Sequence, residues 1–281
     1  MWLHKPMPNC GNMLTTDAII RKHKLNTVCE EAKCPNRHIC YSNKTAAFLA
    51  LGRECTRACP FCDIDFSKTP LPPNEEEAEK IVLSIKELGL EHAVITMVSR
   101  DDLADGGASH IAKIISSIRK ETNNTTIEVL TSDFNGDTKS IEKVVNEKPE
   151  IYNHNIETVR RLTPKVRFKA TYDVTLQVLK HAKKLGKACF VKSGFMLGFG
   201  EEQHEVEETI RDLKEVGCDA ITIGQYMQPT KFKLRVKSFV KLDEFKYYED
   251  YGHRIGLKYV YSGPFVRSSF NAKQIFQKLR G

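Results

Sequence analysis

The chain has 281 residues, 41% of them hydrophobic and 28% charged, an ordinary globular composition that can bury a substantial core in one domain. No run of about 18 apolar residues occurs, which excludes a transmembrane helix. The first residues lack the apolar stretch of a secretory signal, so a cytoplasmic protein is expected. The formal net charge is +7, and lysines and arginines mostly alternate with acids on helical faces. This pattern disfavours nucleic-acid binding but permits an acidic protein partner.

Cysteines are the first informative feature along the chain. After a predicted helix over Thr16–His23, a first triplet is spaced C-x4-C-x5-C and consists of Cys29, Cys34 and Cys40. Nine cysteines without an export signal favour metal binding or catalysis over disulfides. A two-zinc lobe is conceivable, but paired C-x2-C half-sites are absent and only His38 adds a nearby ligand. We therefore interpret this triplet as part of an iron–sulfur site whose fourth ligand is distant in sequence.

A second triplet follows the first predicted strand, Thr45–Leu51, which ends at Gly52. Its members Cys55, Cys59 and Cys62 are spaced C-x3-C-x2-C. A structural zinc site takes four protein ligands. A cubic iron–sulfur cluster held by three thiolates instead keeps one iron free for a ligand that is not protein. Because no fourth cysteine is close to this loop, the spacing favours a cluster over a zinc loop or a disulfide-bearing loop.

Beyond the second triplet, helical and strand patterns alternate. The pattern predicts helices at Asn74–Gly89, Gly106–Glu121, Thr138–Asn146, Ile156–Leu162, Asp173–Leu185 and Glu202–Val216. It predicts strands, in addition to the first, at His92–Val98, Thr126–Leu130, Ile151–Asn153, Ala188–Leu197 and Ala220–Gln225. Such alternation implies parallel pairing, hence a six-stranded open barrel or a doubly wound sheet. After Lys231 the alternation stops, and the pattern predicts a helix at Asp243–Gly256 and a strand at Leu257–Tyr261.

Polar segments follow the predicted strands, at the edge where parallel α/β proteins bind ligands. Single aspartates there, such as Asp133 and Asp137, are more typical of helix caps or turns than of catalysts. Five polar segments at one rim nevertheless indicate a binding site. They are Ser99–Gly107, Thr131–Gly136, Asn153–Thr158, Lys192–Glu201 and Gly224–Pro229.

Two groups of motifs carry a resemblance to known proteins. The C-x3-C-x2-C loop with Phe61 before its last cysteine, together with Gly194-x-Met-x-Gly198-x-x-Glu201, resembles the radical S-adenosylmethionine superfamily. Within it, the chain resembles the lipoyl synthase family from about Thr27 to Ala272. The motifs that carry this closer resemblance are Cys29-Glu-Glu-Ala-Lys-Cys34-Pro-Asn, Arg100-Asp-Asp-Leu, Asn153-His-Asn-x-Glu157, Lys192-Ser-Gly, Gly224-Gln-Tyr and Gly263-Pro-Phe-Val-Arg267-Ser-Ser269.

The resemblance implies an enzyme, a sulfurtransferase that inserts sulfur at C6 and C8 of a protein-bound octanoyl-lysine to give lipoyl-lysine. It implies a partial (β/α)6 barrel, S-adenosylmethionine, and two 4Fe–4S clusters, of which the auxiliary one donates the sulfur. The implied ligands and catalytic residues of the reducing cluster are Cys55, Cys59 and Cys62. Those of the auxiliary cluster are Cys29, Cys34, Cys40 and the catalytic Ser269, with Ser268 as the alternative serine. The implied cofactor-binding residues are Arg100, Asn153, Asn155, Glu157, Lys192, Gly198, Glu201 and Gln225.

The resemblance also implies domains and partners. An N-terminal extension (1–44) would carry the first triplet, the barrel core would span 45–230, and a C-terminal extension (231–281) would carry the Arg-Ser-Ser motif. The expected partners are octanoylated lipoyl domains of 2-oxoacid dehydrogenase complexes, the glycine cleavage H protein, a flavodoxin or ferredoxin, and an iron–sulfur carrier, with neither membrane nor nucleic acid. Two alternatives stay open: another sulfur-inserting enzyme of the superfamily, resembling a methylthiotransferase or biotin synthase, and a zinc-bearing nucleic-acid-binding module.

Overall fold

A computed structural model of the chain describes residues 10–186 and 189–281. Its strands are β1 (Ala47–Ala50), β2 (Glu54–Cys55), β3 (Asp65–Phe66), β4 (His92–Met97), β5 (Thr126–Leu130), β6 (Ile151–Asn153), β7 (Phe190–Leu197), β8 (Ala220–Gln225) and β9 (Tyr259–Ser262). Its helices are α1 (Cys10–Lys22), α2 (Val28–Glu31), α3 (Arg37–Ser42), α4 (Glu77–Leu88), α5 (Ala108–Glu121), α6 (Thr138–Asn146), α7 (Thr163–Val166), α8 (Tyr172–Leu185), α9 (Gln203–Glu215), α10 (Leu242–Arg254) and α11 (Ala272–Arg280).

One parallel sheet of seven strands organises the described residues, in the order β1-β4-β5-β6-β7-β8-β9. Most of its strand residues are buried, as in β4, whose six residues are all buried, whereas the edge strand β9 has one buried residue of four. Strands covered on both faces read as continuous apolar runs, which explains why β4 shows no alternation of polar and apolar residues. The expected parallel α/β fold is therefore confirmed, with helices connecting successive strands of the sheet.

The helices pack through the apolar faces that their sequences predict. In α5, Ile111, Ile114, Ile115 and Ile118 are all buried and recur at helical spacing. Helix α4 ends where Gly89 adopts φ 66°, a left-handed conformation that glycine reaches without strain. No helix in the described ranges is both long and apolar enough to cross a membrane.

The two edges of the sheet are β1 and β9. The N-terminal segment covers β1: the amide of Leu49 donates to the carbonyl of Asn26 (2.9 Å), and Thr27 forms an antiparallel bridge with Phe48. At the other edge, β9 pairs in parallel with β8. The strand predicted near residue 259 thus extends the sheet from six strands to seven.

Several predicted elements differ from the structure. The helix expected at Ile156–Leu162 is wrong, because Glu157 bridges Phe195 on β7 and helix α7 begins only at Thr163. The N-terminal helix starts earlier than Thr16, and the sequence analysis did not predict α2, α3, α11, β2 or β3. Helix α11 could have been predicted, because Ala272, Ile275, Phe276 and Leu279 recur at helical spacing and are buried. The predicted start of β7 at Ala188 lies outside the described residues, as do residues 1–9.

Candidate functional site

A cavity of about 970 Å³ contains the candidate site. Its wall includes residues that follow β4, β5 and β6 at their carboxyl ends, together with parts of the N-terminal and C-terminal segments. The two cysteine triplets, separated by only fourteen residues in sequence, share this cavity with the C-terminal serines. The candidate metal ligands lining it are Cys29, Cys34, Cys40, Cys55, Cys59, Cys62, Ser268 and Ser269.

The second triplet lies in the loop after β1, around the short strand β2. The backbone amide of Arg57 donates to the Sγ of Cys55 (3.3 Å), and the amide of Phe168 donates to the Sγ of Cys59 (3.3 Å). Amide donors stabilise a thiolate more than a thiol. These bonds therefore suit sulfurs that bind metal as thiolates.

Arg57 anchors this loop to the strand ends and was missed by the sequence analysis. Its guanidinium, 4% exposed, lies 2.8 Å from an Asp101 oxygen and 2.7 Å from an Asp133 oxygen. Burial disfavours the charged form of Asp133, but the hydrogen bonds and charge of Arg57 outweigh it and lower the pKa of Asp133 to about 2. Asp133 also accepts a hydrogen bond from the amide of Asn135, as a capping residue does. Asp133 is therefore both a turn residue, as predicted, and an ion-pair partner of Arg57.

The first triplet is arranged by two short helices. Cys29 lies in α2, Cys40 lies in α3, and Cys34 lies in the turn between them. Thr27 is the N-cap of α2, and its side chain accepts from the amide of Glu30. The sequence motif therefore folds as a compact turn that brings three thiols to one wall of the cavity.

The C-terminal motif reaches the same cavity because β8 lets it approach closely. A Cβ at Gly224 would lie 2.2 Å from the carbonyl oxygen of Val266, so only glycine fits under this segment. The side-chain amide of Asn155 donates to the Oγ of Ser268 (3.2 Å). The hydroxyl of Ser269 has no such bond to another described residue, and Ser269 lines the cavity.

Two of the expected cofactor-binding residues line the cavity, Asn155 and Glu157. The Oδ1 of Asn155 is buried and has no hydrogen-bond partner among the described residues, an acceptor left for a ligand. Burial raises the pKa of Glu157, while the charge of nearby Arg167, which also lines the cavity, opposes that shift.

Three other expected cofactor-binding residues are held by carboxylates, of which Glu128 is buried and Asp102 is exposed. Lys192 on β7 donates to both carboxylate oxygens of Glu128 on β5 (2.6 and 2.9 Å), and the amide of Asn153 donates to the same group (2.8 Å). The guanidinium of Arg100 pairs with Asp102 at 2.7 Å. None of these three residues lines the cavity, and their expected role in cofactor binding stays a prediction.

The remaining three shape the loops that follow β7 and β8. Glu201 accepts hydrogen bonds from the amides of Gly198 (2.9 Å), Phe199 and Gly200. Gly198 has φ 112°, and a Cβ there would lie 2.2 Å from Nε2 of Gln225. Gln225 in turn donates to the carbonyl of Ser238 (3.1 Å), which fixes the chain segment after β8.

The donor set fits the cofactors that the sequence implies. Burial raises the pKa of Cys29 and Cys62 to about 12, so a bound cation must displace their protons. Among the described residues, no three His, Cys, Asp or Glu side chains converge on a point that one metal ion could occupy. A cluster binds each thiolate on a different iron, so its ligands need not converge in this way. The two groups of three thiols and the hydroxyl of Ser269 suit two clusters. The unpartnered Oδ1 of Asn155 suits an amino-acid-like cofactor.

Comparisons with known proteins agree with this geometry. The sequence profile of the radical SAM superfamily matches residues 49–224. The chain is 55% identical to the lipoyl synthase of Protochlamydia amoebophila (strain UWE25), over 99% of this chain and 86% of that protein. It is 49% identical to the lipoyl synthase of Chlamydia muridarum (strain MoPn / Nigg), over 99% of this chain and 90% of that protein.

Solved structures show similarity of fold. The FeFe-hydrogenase maturase HydG from Carboxydothermus hydrogenoformans aligns with a TM-score of 0.61 and 18% identity, over 82% of this chain and 56% of that chain. Methylornithine synthase (PylB) aligns with a TM-score of 0.57 and 16% identity, over 83% of this chain and 72% of that chain. This chain thus spans little more than half of the maturase.

Proposed function

This chain belongs to the lipoyl synthase family of the radical S-adenosylmethionine superfamily, and on that premise we propose how its residues divide the reaction. The enzyme is a sulfurtransferase that converts the octanoyl-lysine of a lipoyl-domain protein into lipoyl-lysine, with sulfur from an auxiliary 4Fe–4S cluster. The chain is about 50% identical to lipoyl synthases over nearly its whole length. This excludes the two alternatives, a methylthiotransferase-like or biotin synthase-like enzyme and a zinc-bearing nucleic-acid-binding module.

One observation carries the proposal: both cysteine triplets and Ser269 line a single cavity. When bound, the reducing cluster and S-adenosylmethionine supply one-electron chemistry strong enough to break an unactivated C–H bond, which no side chain can do. The residues of this chain hold and orient these groups. We assign Cys55, Cys59 and Cys62 to the reducing cluster, with amide hydrogen bonds on two of the three sulfurs supporting the assignment.

We assign the auxiliary cluster to Cys29, Cys34, Cys40 and Ser269. Supporting this, the Ser268 hydroxyl is already bonded to Asn155, whereas that of Ser269 is not so engaged among the described residues. An alkoxide is a harder ligand than a thiolate, and iron–sulfur clusters are normally held by thiolates. A weaker fourth ligand suits a cluster that must give up sulfur.

We assign cofactor recognition to two groups of residues. Asn155 and Glu157 face the cavity and would receive the charged methionine end of S-adenosylmethionine. Lys192, Asn153 and Arg100 hold the strand ends through Glu128 and Asp102, and are proposed as positioning residues. Three further residues are proposed to act indirectly too, by fixing the loops after β7 and β8; they are Gly198, Glu201 and Gln225.

Further proposals concern organisation and partners. The chain has three segments: a cluster-binding extension (1–44), a barrel core (45–230) and a closing extension (231–281). The carriers are lipoyl domains of 2-oxoacid dehydrogenase complexes and the glycine cleavage H protein, with a flavodoxin or ferredoxin as electron donor and an iron–sulfur carrier for repair. Within the described residues eight cysteines are free thiols, which suits a reducing compartment, and we propose the cytoplasm.

A single assay tests the proposed function. Protein with reconstituted clusters is mixed anaerobically with S-adenosylmethionine, dithionite and an octanoyl-lysyl peptide, and the peptide is analysed by mass spectrometry. We expect a product carrying two added sulfurs, and none when S-adenosylmethionine is omitted. A product with a methylthio group, or an unmodified peptide beside ample 5′-deoxyadenosine, would contradict the proposal.

A further inference from the structure

The segment between β8 and α10 carries a cluster of positively charged residues. We call residues 231–241 the basic strap; they contain five lysines or arginines and no acid, in a chain whose formal net charge is +7. In the described ranges, none of these five cations lies within 4.0 Å of an acidic side chain. The alternation of cations with acids, which was expected on helical faces, does not extend to this segment. The five are Lys231, Lys233, Arg235, Lys237 and Lys241.

The basic strap is held against the loop that carries the second cysteine triplet. The amide of Leu234 donates to the carbonyl of Pro60 (3.0 Å), between two cysteines of the second triplet. The hydroxyl of Tyr226 donates to the carbonyl of Leu234 (2.8 Å). The amide of Lys237 donates to the carbonyl of Gly198 (2.7 Å). The strap has no helix or strand, yet these bonds fix its position, so its cations are presented on a defined surface.

A groove of about 520 Å³ runs along the basic strap and meets the main cavity. Met227 and Gln228 line both, so the groove and the cavity are direct neighbours. Lys231 and Arg235 also line it. Two phenylalanines of the strap are exposed, Phe232 at 85% and Phe239 at 57%. Exposed aromatic and arginine side chains beside a groove are typical of protein interfaces.

We propose that the basic strap and its groove dock the carrier domain through an acidic face around the octanoyl-lysine. This rests on the proposed function, because that function requires a lysine on a folded protein to enter the cavity. The carrier must therefore approach the cavity, and the strap lies beside the cavity because its groove shares Met227 and Gln228 with it. An electron donor needs only to approach the reducing cluster, whose loop the strap also contacts through Leu234 and Pro60. We favour the carrier because the groove adjoins the substrate cavity.

Charge complementarity gives the docking a measurable signature. Unpaired cations beside a cavity attract an acidic partner over long range and raise its association rate at low salt. A short octanoyl-lysyl peptide without acidic residues lacks the face that the strap would contact. The strap should therefore matter for the carrier domain and not for the peptide.

The test compares Lys231→Glu/Arg235→Glu with a matched control, Lys120→Glu/Lys184→Glu. Both double variants change the charge equally, and the control lysines are exposed near the ends of α5 and α8, beyond the strap. Lipoyl formation is measured with dithionite at sub-saturating concentrations of an octanoylated carrier domain or of the uncharged peptide. We expect the strap variant to lose about ten-fold or more on the carrier domain at low salt, with smaller loss at high salt. The peptide rate and the control variant should stay within about two-fold of wild type.

Each other outcome overturns the proposal. Equal losses on both substrates would mean that the strap supports the chemistry or the fold, and no loss on either would mean that the carrier docks elsewhere. A loss seen only when a protein electron donor replaces dithionite would assign the strap to that donor. Failure of the proposed function itself is distinguishable, because wild type would then make no lipoyl product from either substrate.

Discussion

The side-chain amide of Asn36 donates a 2.7 Å hydrogen bond to the carbonyl oxygen of Phe265, 229 residues away in sequence. Asn36 is fully buried and lies two residues after Cys34, while Phe265 lies four residues before Ser269. This contact joins the cysteine wall of the auxiliary site to the segment that carries the proposed serine ligand. The four proposed ligands of one cluster therefore come from two distant parts of the chain.

Asn36→Ala should loosen that junction. Loss of one partner of a buried hydrogen bond costs about 1–3 kcal/mol, so we expect a lower urea midpoint and a lower ratio of lipoyl product to 5′-deoxyadenosine. Asn12→Ala is the matched control, because the amide of Asn12 donates to the carbonyl of Ser42 in an exposed position (3.2 Å). A normal product ratio in Asn36→Ala would contradict the role of this contact.

Cysteine variants should separate the two clusters. Cys59→Ala should abolish both 5′-deoxyadenosine and lipoyl product, because no site remains to reduce the cofactor. Cys34→Ala should keep part of the 5′-deoxyadenosine formation and lose sulfur insertion. Cys218→Ala, a buried cysteine among the core residues, is the control and should leave both products near wild type. Chromatography of both products from one reaction checks this, and sulfur insertion by Cys34→Ala would refute the donor assignment.

The two neighbouring serines should differ. Ser269→Ala should keep its fold and its 5′-deoxyadenosine formation, lose lipoyl product, and alter the Mössbauer spectrum of the auxiliary cluster. Ser268→Ala removes a hydrogen bond from Asn155 and should cost roughly 1 kcal/mol with milder loss of activity. The reverse order of effects would exchange the two assignments.

Lys192 should act through stability. Removing one partner of a buried ion pair costs about 3–5 kcal/mol, so Lys192→Met should lower the free energy of unfolding strongly. Lys184→Met, at an exposed lysine, should be nearly neutral. Equilibrium dialysis would then find near-normal S-adenosylmethionine binding by the folded fraction. Weakened binding with unchanged stability would instead establish direct cofactor contact.

The same pair gives a pH dependence. Burial disfavours the Glu128 carboxylate, but the charge of Lys192 outweighs it and lowers the pKa of Glu128 to about 2. An unfolded glutamate has a pKa of about 4.3. The stabilisation is thus complete above about pH 4.3 and lost as the pH falls toward 2. Urea unfolding at pH 6 and pH 3 should show that wild type and Glu128→Gln differ less at the lower pH.

Local patterns predicted much of the fold. The strands Thr126–Leu130, Ile151–Asn153 and Ala220–Gln225 lie where apolar runs between turns indicated them. The helix at Ile156–Leu162 failed because its apolar spacing reflects burial against the sheet, with Glu157 at φ 69° bridging Phe195. Apolar spacing alone does not distinguish a helix from an irregular segment packed on a core.

The candidate site was predictable where its chemistry is local. Each cysteine triplet is a short motif, and both line the cavity. The role of Arg57 was not predictable, because its partners Asp101 and Asp133 lie 44 and 76 residues away. The placement of Lys192 against Glu128, 64 residues away, is likewise a result of strand order. The basic strap was missed because charge was judged over helical faces, and the strap is not a helix.

The backbone bonds that Asn26 and Thr27 make to β1 have a consequence for handling the protein. An uncovered edge strand offers its amides and carbonyls to other molecules and promotes aggregation. A chain shortened to begin at residue 45 would expose the edge of β1, whose four residues are all buried in the full chain. We expect such a chain to scatter light and elute as large assemblies at concentrations where the full chain does not. Residues that bring cluster ligands to the cavity therefore also keep neighbouring molecules apart.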